Sequence, residues 1–407
     1  MQRPLIDVPA DRSDLADRLA DGLDATGPAL RVVPPGARMP SPTPDEARPG
    51  DDAPDGMPPA AVTVPEGVAV VVRTSGTTGA PRDVLLSAAA LRASADATAE
   101  RLGGPGAWVL ALPPAHIAGI QVLVRAHLAG TPVVVCEPGP FRPATFTAAT
   151  DQLVTLAGSA RRYTSLVPTQ LHRLLDDEAG TRALLAFAAV LVGGAAVPAS
   201  LLARARAAGV AVVRTYGMTE TCGGCVYDGR PLDGVRIRLD GDGGVLLAGP
   251  VLADGYLGRP ELTDQAFVVL PDEEGRSGAS IRWLHTADLG RVGPDGRLHV
   301  LGRADDVVVT GGVKVSPGPV EQVLAALPGV REACVVGVPD EEWGQVLVAL
   351  LVVGPSGPPA LDEVRLVVAE RLGPAAAPRR LVTVPALPHL GPDKPDRRAA
   401  AALAVGA

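Results

Sequence analysis

An α/β fold in two domains of unequal size follows from three features of this sequence. From Val68 to Arg214, runs rich in Val and Leu alternate with helical segments, the pattern of sheets covered by helices. From Val235 to His299 the pattern changes to short strands and Gly-rich turns such as 240–244 and 293–296, which describes a β-rich subdomain. Beyond Gly302-Arg303, about 100 residues return to a mixed pattern, enough for a small α/β domain. The chain therefore divides into 1–303 and 304–407.

Each element has its own signal. Leu15, Leu19 and Leu23 recur at helical spacing, and a short apolar run follows at 30–33. The Pro-, Asp- and Gly-rich stretch 34–59 reads as a loop or spacer. Residues 68–72 form a continuous apolar run, hence a buried strand, and Ser87 is placed to cap a helix reaching Leu102. Strands are expected at 108–112, 133–136, 184–192 and 210–214, with a helix at 198–208. In the second domain the spacing predicts strands at 307–309, 333–338, 346–353 and 381–384, and helices at 319–327 and 361–372.

Composition narrows the function. With 407 residues and 47% hydrophobic content, the chain supports a large core and excludes general disorder. A net charge of −8 argues against a generally basic surface, so no nucleic-acid partner is expected. No apolar run is long enough to span a bilayer, and Met1-Gln2-Arg3-Pro4 lacks the apolar core of a signal peptide. The expectation is a cytoplasmic protein with no transmembrane segment. Cys136, Cys222, Cys225 and Cys334 are too few and too spread for a disulfide scaffold, and the lone CxxC at 222–225 reads as structural thiols. Lysine occurs only at 314 and 394, so chemistry that needs an ammonium has two side-chain candidates. The assembly state is left open, with a homodimer as one option.

The strongest local signal is Thr74-Ser75-Gly76-Thr77-Thr78-Gly79-Ala80-Pro81-Arg82, directly after a predicted strand. Glycines let backbone N–H groups approach an anion, hydroxyls add donors, and Arg82 adds charge. It is not a Walker A loop, because the Gly-Lys-Ser/Thr ending is missing. Farther on, Gly193-Gly194-Ala195-Ala196 offers a small-residue turn on which a flat ring could lie, and Tyr216-Gly217-Met218-Thr219-Glu220 joins an aromatic face, a hydroxyl and a hard carboxylate ligand.

These segments, in this order, resemble the signature motifs of the acyl-adenylate-forming enzymes, and the resemblance runs from about residue 68 to 398. It implies a large N-terminal adenylate-forming domain with a β-rich subdomain and a small mobile C-terminal domain. It also implies ATP, Mg²⁺ and coenzyme A as cofactor and cosubstrates. Carried over residue by residue, Thr74, Ser75, Gly76, Thr77, Thr78, Gly79 and Arg82 would hold phosphates. Gly194, Ala195, Ala196, Tyr216 and Gly217 would flank adenine. Thr219 would contact the α-phosphate, and Glu220 would hold Mg²⁺. Trp283-Leu284-His285-Thr286-Ala287-Asp288 resembles the ribose-binding motif, with Asp288 on the hydroxyls and Ala287 where glycine is usual. Gly302-Arg303-Ala304-Asp305-Asp306 resembles the domain junction: Arg303 would contact ribose or phosphate, and Asp305 would be the hinge within 303–306. Gly311 and Gly312 resemble the mobile loop that lines the pantetheine tunnel. Lys394 resembles the catalytic lysine, with Asp393 replacing a glycine of its loop. Two further departures are Arg82, where lysine is usual, and Asp83, where glycine is common.

For the acid, residues 165–175 (Ser-Leu-Val-Pro-Thr-Gln-Leu-His-Arg-Leu-Leu) and 216–228 resemble the o-succinylbenzoate–CoA ligases of menaquinone (vitamin K2) biosynthesis. That acid carries two carboxylates. One reacts, and the other needs a cationic or polar partner. Arg173 is the motif-based candidate, with Arg125 and Arg214 behind it, and His116 would wall the acyl pocket. The competing readings are an acyl-CoA synthetase for another aryl or medium-chain acid, a carrier-protein adenylation enzyme, and a noncatalytic adenylate-fold binding protein.

Overall fold

The computed structural model describes residues 1–36, 62–75, 81–272, 279–355, 357–391 and 394–406; for Ser75, residues 389–391 and Lys394 it describes the backbone alone. Most of the Pro-rich stretch, the loop residues Gly76, Thr77, Thr78 and Gly79, and Asp393 lie outside the described residues.

Among the described residues, the N-terminal part is built on three sheets. The first runs Gly255–Tyr256, Pro81–Ser87, Val68–Ser75, Ala29–Val33, Gln2–Pro9, Thr63–Pro65. The second runs Arg230–Pro231, Gly223–Tyr227, Val212–Met218, Ala189–Val192, Arg162–Leu166, Ala107–Leu110, Val133–Val135, with a parallel centre. Between these two sheets lie the helices Leu15–Leu23, Ala88–Arg101 and Ile117–Ala129. Their shared core joins Leu19, Leu91 and Ile120 to strand residues of both sheets. Leu15, Leu19 and Leu23 are each under 5% exposed, so truncating Leu19 to Ala should cost ~2–5 kcal/mol. Helices Pro143–Ala157, Pro168–Leu175 and Ala199–Ala207 cover the other face of the second sheet.

The β-rich subdomain is the third sheet, in the order Arg236–Leu239, Gly244–Ala248, Ser280–Val292, Phe267–Pro271, with Leu298–Arg303 also paired to Ser280–Val292. Its first turn is set by Asp240, whose Oδ1 accepts from the N–H groups of Asp242 (2.9 Å) and Gly244 (2.7 Å). A separate sheet follows: Val313–Val315, Val308–Thr310, Gly344–Val353, Val330–Asp340, with Arg380–Thr383 beside Gly344–Val353. Helices Pro317–Ala325 and Leu361–Leu372 pack on one face of this sheet, and Arg397–Gly406 packs on the other. Among the described residues, no helix is long and apolar enough to cross a membrane.

One expectation needs correction, and two strands went uncalled. The apolar run 184–192 is not one strand. Asp177 caps a helix, Glu178–Leu184, accepting from Gly180 N–H at 2.6 Å, and the strand begins only at Ala189. A buried helix end and a buried strand have the same composition, so the run concealed the break. The strand Gln2–Pro9 went unseen because two prolines interrupt it; Arg3 within it is buried and donates to the Gly22 (3.0 Å) and Val68 (3.2 Å) carbonyls. Finally, no strand was expected in the segment that follows Val68–Ser75. It turns back as an antiparallel strand, Pro81–Ser87, with Thr74 opposite Arg82. Ser87 then caps the helix as expected, accepting from Ala90 N–H at 3.3 Å.

Candidate active site

A cleft of about 2750 Å³ lies between the N-terminal sheets and the C-terminal part, and most of the described candidate residues line it. Thr74 and Arg82 enter at the open end of the Val68–Ser75/Pro81–Ser87 hairpin. Gly194, Ala195 and Ala196 enter from the turn after Ala189–Val192, and Tyr216 to Glu220 from the end of Val212–Met218. Asp288 and Arg303 face each other across the pairing of Ser280–Val292 with Leu298–Arg303. The cleft thus collects ends of strands from three sheets, the usual position for a ligand in such folds.

Two tyrosines organise its polar wall. The Tyr216 hydroxyl donates to Asp288 Oδ2 at 2.8 Å, and the Asp288 N–H donates to Thr286 Oγ1 at 3.1 Å. Burial, and then the Asp288 charge, hold the Tyr216 hydroxyl protonated far above its usual range. The Tyr256 hydroxyl donates to Glu220 Oε1 at 2.9 Å, and the Arg82 guanidinium lies 5.5 Å from the Tyr256 ring centre. Burial and the Glu220 charge likewise raise the Tyr256 pKa. Tyr256 therefore joins Arg82 to Glu220 on one wall of the cleft. Sequence reasoning missed it, because no spacing in Asp254-Gly255-Tyr256 marks it; it reaches the cleft by pairing with Val84.

Glycine is required at two points of this wall. A Cβ at Gly217 would lie 2.1 Å from the Gly223 carbonyl oxygen, and one at Gly193 would lie 2.3 Å from Thr215 Oγ1. Thr219 opens a short 3-10 turn and is buried.

Among the described residues, no three His, Cys, Asp or Glu side chains converge as an all-protein metal cage. One carboxylate on the wall of the cleft, as Glu220 provides, suits Mg²⁺, which is commonly held by one or two carboxylates together with substrate phosphates. Cys222 and Cys225 are buried thiols, with burial pushing Cys225 up to about 12, in keeping with a structural role.

Asp83, the departure from glycine, is buried and does not line the cleft. Its carboxylate accepts from Arg31 Nη1 (2.8 Å) and from Arg73 Nε and Nη2 (both 2.8 Å). Arg303 pairs with Asp305 at 2.9 Å in the junction turn 304–306. Next to it, Asp306 binds Arg397 Nε at 2.8 Å, and Arg397 also holds Glu321 at 2.6 Å, tying the junction to the C-terminal helix.

Other candidates fall at the margin. Gly311 and Gly312 form the tip of a tight hairpin with φ of 55° and 79°, and Gly311 lies against the Trp343 ring. The adjacent residues 313–316, including Lys314, line the cleft. Lys394 lies on a short strand paired with Gly391. His116 caps the helix Ile117–Ala129 and is exposed to the cleft; Arg173 is exposed on Pro168–Leu175, also lining it. Arg214 is exposed and pairs with Asp228 at 3.1 Å. Arg125 is buried.

A cleft of this construction, with an aromatic–carboxylate pair, a buried threonine and the ends of two paired strands at its mouth, has the form of a ligand site in α/β enzymes. Residues 8–257 match the family model described as AMP-binding enzyme, and residues 319–394 match the AMP-binding enzyme C-terminal domain. The chain belongs to the AMP-binding enzymes. It is 48% identical over 340 residues to the Mycobacterium tuberculosis protein named "Probable 2-succinylbenzoate--CoA ligase", covering 83% of this chain and 84% of that one. Among solved structures it resembles o-succinylbenzoate CoA synthetase from Bacillus subtilis in complex with the acyl-adenylate intermediate. The TM-score is 0.67 at 29% identity, over 81% of this chain and 68% of that one. The same Bacillus subtilis protein in complex with ATP and magnesium ion matches with a TM-score of 0.68 at 28% identity, over 81% and 69% of the two chains.

Proposed function

We propose that this chain is an AMP-forming acid–thiol ligase that joins o-succinylbenzoate to coenzyme A, a step of menaquinone biosynthesis. The observation that carries the reading is the single cleft in which Tyr216–Asp288, Thr219, Glu220–Tyr256 and Arg303 meet, in a chain 48% identical to a protein of that name.

In the first step a carboxylate oxygen of the acid bonds to the α-phosphorus of ATP, and the bond to pyrophosphate breaks. In the second, the coenzyme A thiol loses its proton and bonds to the acyl carbon, and the bond to AMP breaks. Two anions must meet in the first step, so the chain's task is mainly electrostatic. Thr219 donates to the α-phosphate, and the backbone and hydroxyls of Thr74–Gly79 with Arg82 hold the outer phosphates. Tyr216 supplies the face for adenine beside the Gly194–Ala196 turn, and Asp288 with Arg303 receives the ribose. Glu220, oriented by Tyr256, holds Mg²⁺, which when bound offsets charge on the phosphate oxygens. The Lys394 ammonium bridges the acid carboxylate and the α-phosphate. His116 walls the acyl side, and Arg173 sits at its mouth.

For the second step, residues 304–407 rotate about Asp305 within the 303–306 junction, withdrawing Lys394 and bringing the Gly311-Gly312 hairpin to the pantetheine path. The exposed Arg303–Asp305 pair offers little resistance to such a pivot. The reading includes a cytoplasmic enzyme, with a homodimer as the assembly to be checked by light scattering. Mass detection of the acyl-adenylate and the thioester from Mg-ATP, coenzyme A and o-succinylbenzoate tests the reaction. Turnover of benzoate or a medium-chain acid, with none of o-succinylbenzoate, would overturn it.

A further inference from the structure

Three positions after Lys394 stands Arg397, an arginine that the reading above leaves without a task. All three nitrogens of its guanidinium are engaged. Nε donates to Asp306 Oδ2 at 2.8 Å. Nη1 and Nη2 hold the two oxygens of Glu321 at 2.6 and 3.0 Å, a fork against a fork. Nη1 also donates to the Val335 carbonyl at 2.8 Å. Glu321 is itself seated, because its Oε1 accepts from the Val335 N–H at 2.8 Å. Arg397 thus ties the start of the last helix to the junction turn 304–306, to the helix Pro317–Ala325 and to the strand Val330–Asp340. The side chains of Arg397, Asp306 and Glu321 are between 18% and 26% exposed, and all three residues line the cleft. Burial draws the guanidinium pKa down, but Glu321 and Asp306 more than offset it, so the group stays charged.

The backbone hairpin that bears Lys394 pairs His389–Gly391 with Lys394–Pro395. Its base is closed by the Asp396 N–H, which donates to the Pro388 carbonyl at 2.8 Å. Asp396 then caps the last helix, its Oδ1 accepting from the Ala399 N–H at 3.0 Å. That helix is anchored by Ala400 and Ala404, both fully buried against the sheet. The backbone from Lys394 to Arg397 spans at most about 11 Å. Where Arg397 is held therefore limits where Lys394 can be. At the far end of the contact, 91 positions away in the chain, Asp306 follows directly on Asp305, the proposed pivot. Asp305 pairs with Arg303 near the surface at 49% exposure, whereas Asp306 is clamped by Arg397. The division between the residue that turns and the body that is carried falls between these two neighbours.

We propose that Arg397 is a positioning residue for the adenylation step: by holding the base of the Lys394 hairpin to Asp306, it sets the distance of the Lys394 ammonium from the pivot. The inference rests on the ligase reading, with Lys394 acting in its first step. Rotation of the C-terminal part carries Arg397, Asp306 and Glu321 together, so their contacts persist while the exposed Arg303–Asp305 pair yields. The thiol step does not use Lys394. Its Gly311-Gly312 hairpin is held by separate contacts, the pairing of Val308–Thr310 with Val313–Val315 and the Gly311 N–H donating to the Trp343 carbonyl at 3.0 Å. Loss of the Arg397 contacts therefore displaces the ammonium and leaves the pantetheine path in place. A displacement of about 1 Å is enough to cost ~10²-fold in rate.

The test separates the half-reactions in the full chain. Adenylation is followed by ATP–pyrophosphate exchange with o-succinylbenzoate. The thiol step is followed by double mixing, in which the adenylate forms on the enzyme before coenzyme A is added. Arg397→Gln should lower kcat for exchange by ~10²-fold, while KM for Mg-ATP and the rate of the thiol step stay within ~3-fold of wild type. Arg397→Lys keeps the charge but loses the fork, and should recover part of the loss. Asp306→Asn leaves the Glu321 contacts in place and should cost ~10-fold in exchange, the scale of one hydrogen bond to a charged group. The two changes combined should do no more than Arg397→Gln alone, since both cut the same contact. A parallel fall of both half-reactions, a loss confined to KM for Mg-ATP, or unchanged exchange in Arg397→Gln would each overturn the inference and leave the ligase reading intact. Should Arg397→Gln fail to fold, Asp306→Asn decides: exchange within ~3-fold of wild type, or a matching loss in the thiol step, overturns the inference. A wild-type chain that forms neither adenylate nor thioester from o-succinylbenzoate defeats the ligase reading, and the inference with it.

Discussion

Asp83→Ala should destabilise the N-terminal domain by about 3 kcal/mol. The carboxylate is 5% exposed and takes three hydrogen bonds of 2.8 Å from Arg31 and Arg73. Removing one partner of a buried ion pair costs ~3–5 kcal/mol, because the other charge is left in a poor solvent. Two features move this case to the low end. Arg31 keeps Asp7, through Nε at 2.7 Å and Nη2 at 3.0 Å, and Arg73 is 36% exposed and can rehydrate. Urea unfolding followed by circular dichroism, with m near ~3 kcal/mol per molar, should show a midpoint lower by about 1 M. Asp14→Ala is the control: Asp14 also meets two arginines at 2.7 Å, but at 34% exposure, and its loss should not shift the midpoint measurably. The effect should also follow pH with a fixed sign. Burial raises the Asp83 pKa, but Arg73 and Arg31 outweigh it, so the folded value lies below the unfolded one. The stabilisation is therefore complete above the unfolded pKa of ~3.9 and is lost as pH falls through the folded pKa. The gap between wild type and Asp83→Ala should be constant from about pH 6 to 8 and should narrow on acidification below about pH 4. A variant that unfolds within ~0.5 kcal/mol of wild type at neutral pH would refute the reasoning.

Other outcomes follow from the cleft. Tyr256→Phe removes the donor that orients Glu220; KM for Mg-ATP should rise ~10-fold, the scale of a hydrogen bond to a charged group, with little change in melting temperature. Gly217→Ala places a methyl 2.1 Å from the Gly223 carbonyl and cannot be absorbed by a side-chain rotation, so ATP–pyrophosphate exchange should drop ~10²-fold or more, as expected of a displaced catalytic wall. Asp305→Pro should slow thioester formation far more than adenylation in single-turnover assays, whereas Lys394→Ala should lower adenylation by ~10²–10³-fold and spare the thiol step. Equal losses in both half-reactions for both variants would remove the hinge from the account.

The phosphate-loop motif, the Tyr216–Glu220 run and the Asp288 motif were all legible in the chain because each is a short, contiguous piece of chemistry. The fold class was legible for a similar reason: buried strands and amphipathic helices leave local periodic patterns, as the helix Leu361–Leu372 and the strand Gly344–Val353 illustrate. What lay outside this reach depended on contacts between distant residues. Tyr256 meets Glu220 only because its strand pairs with Pro81–Ser87. Asp83 looked like a defect in a phosphate loop until the sheet set Arg31 and Arg73 beside it. Arg125 was one of three arginines that the sequence offered as a carboxylate partner, and only the fold shows it buried while Arg173 and Arg214 are exposed. Local sequence determines which groups are available and how the backbone near them prefers to bend. Whether a charge is solvated, paired or left buried beside a cavity is decided by residues tens to hundreds of positions away, since solvation depends on everything packed around a group and not on its neighbours along the chain.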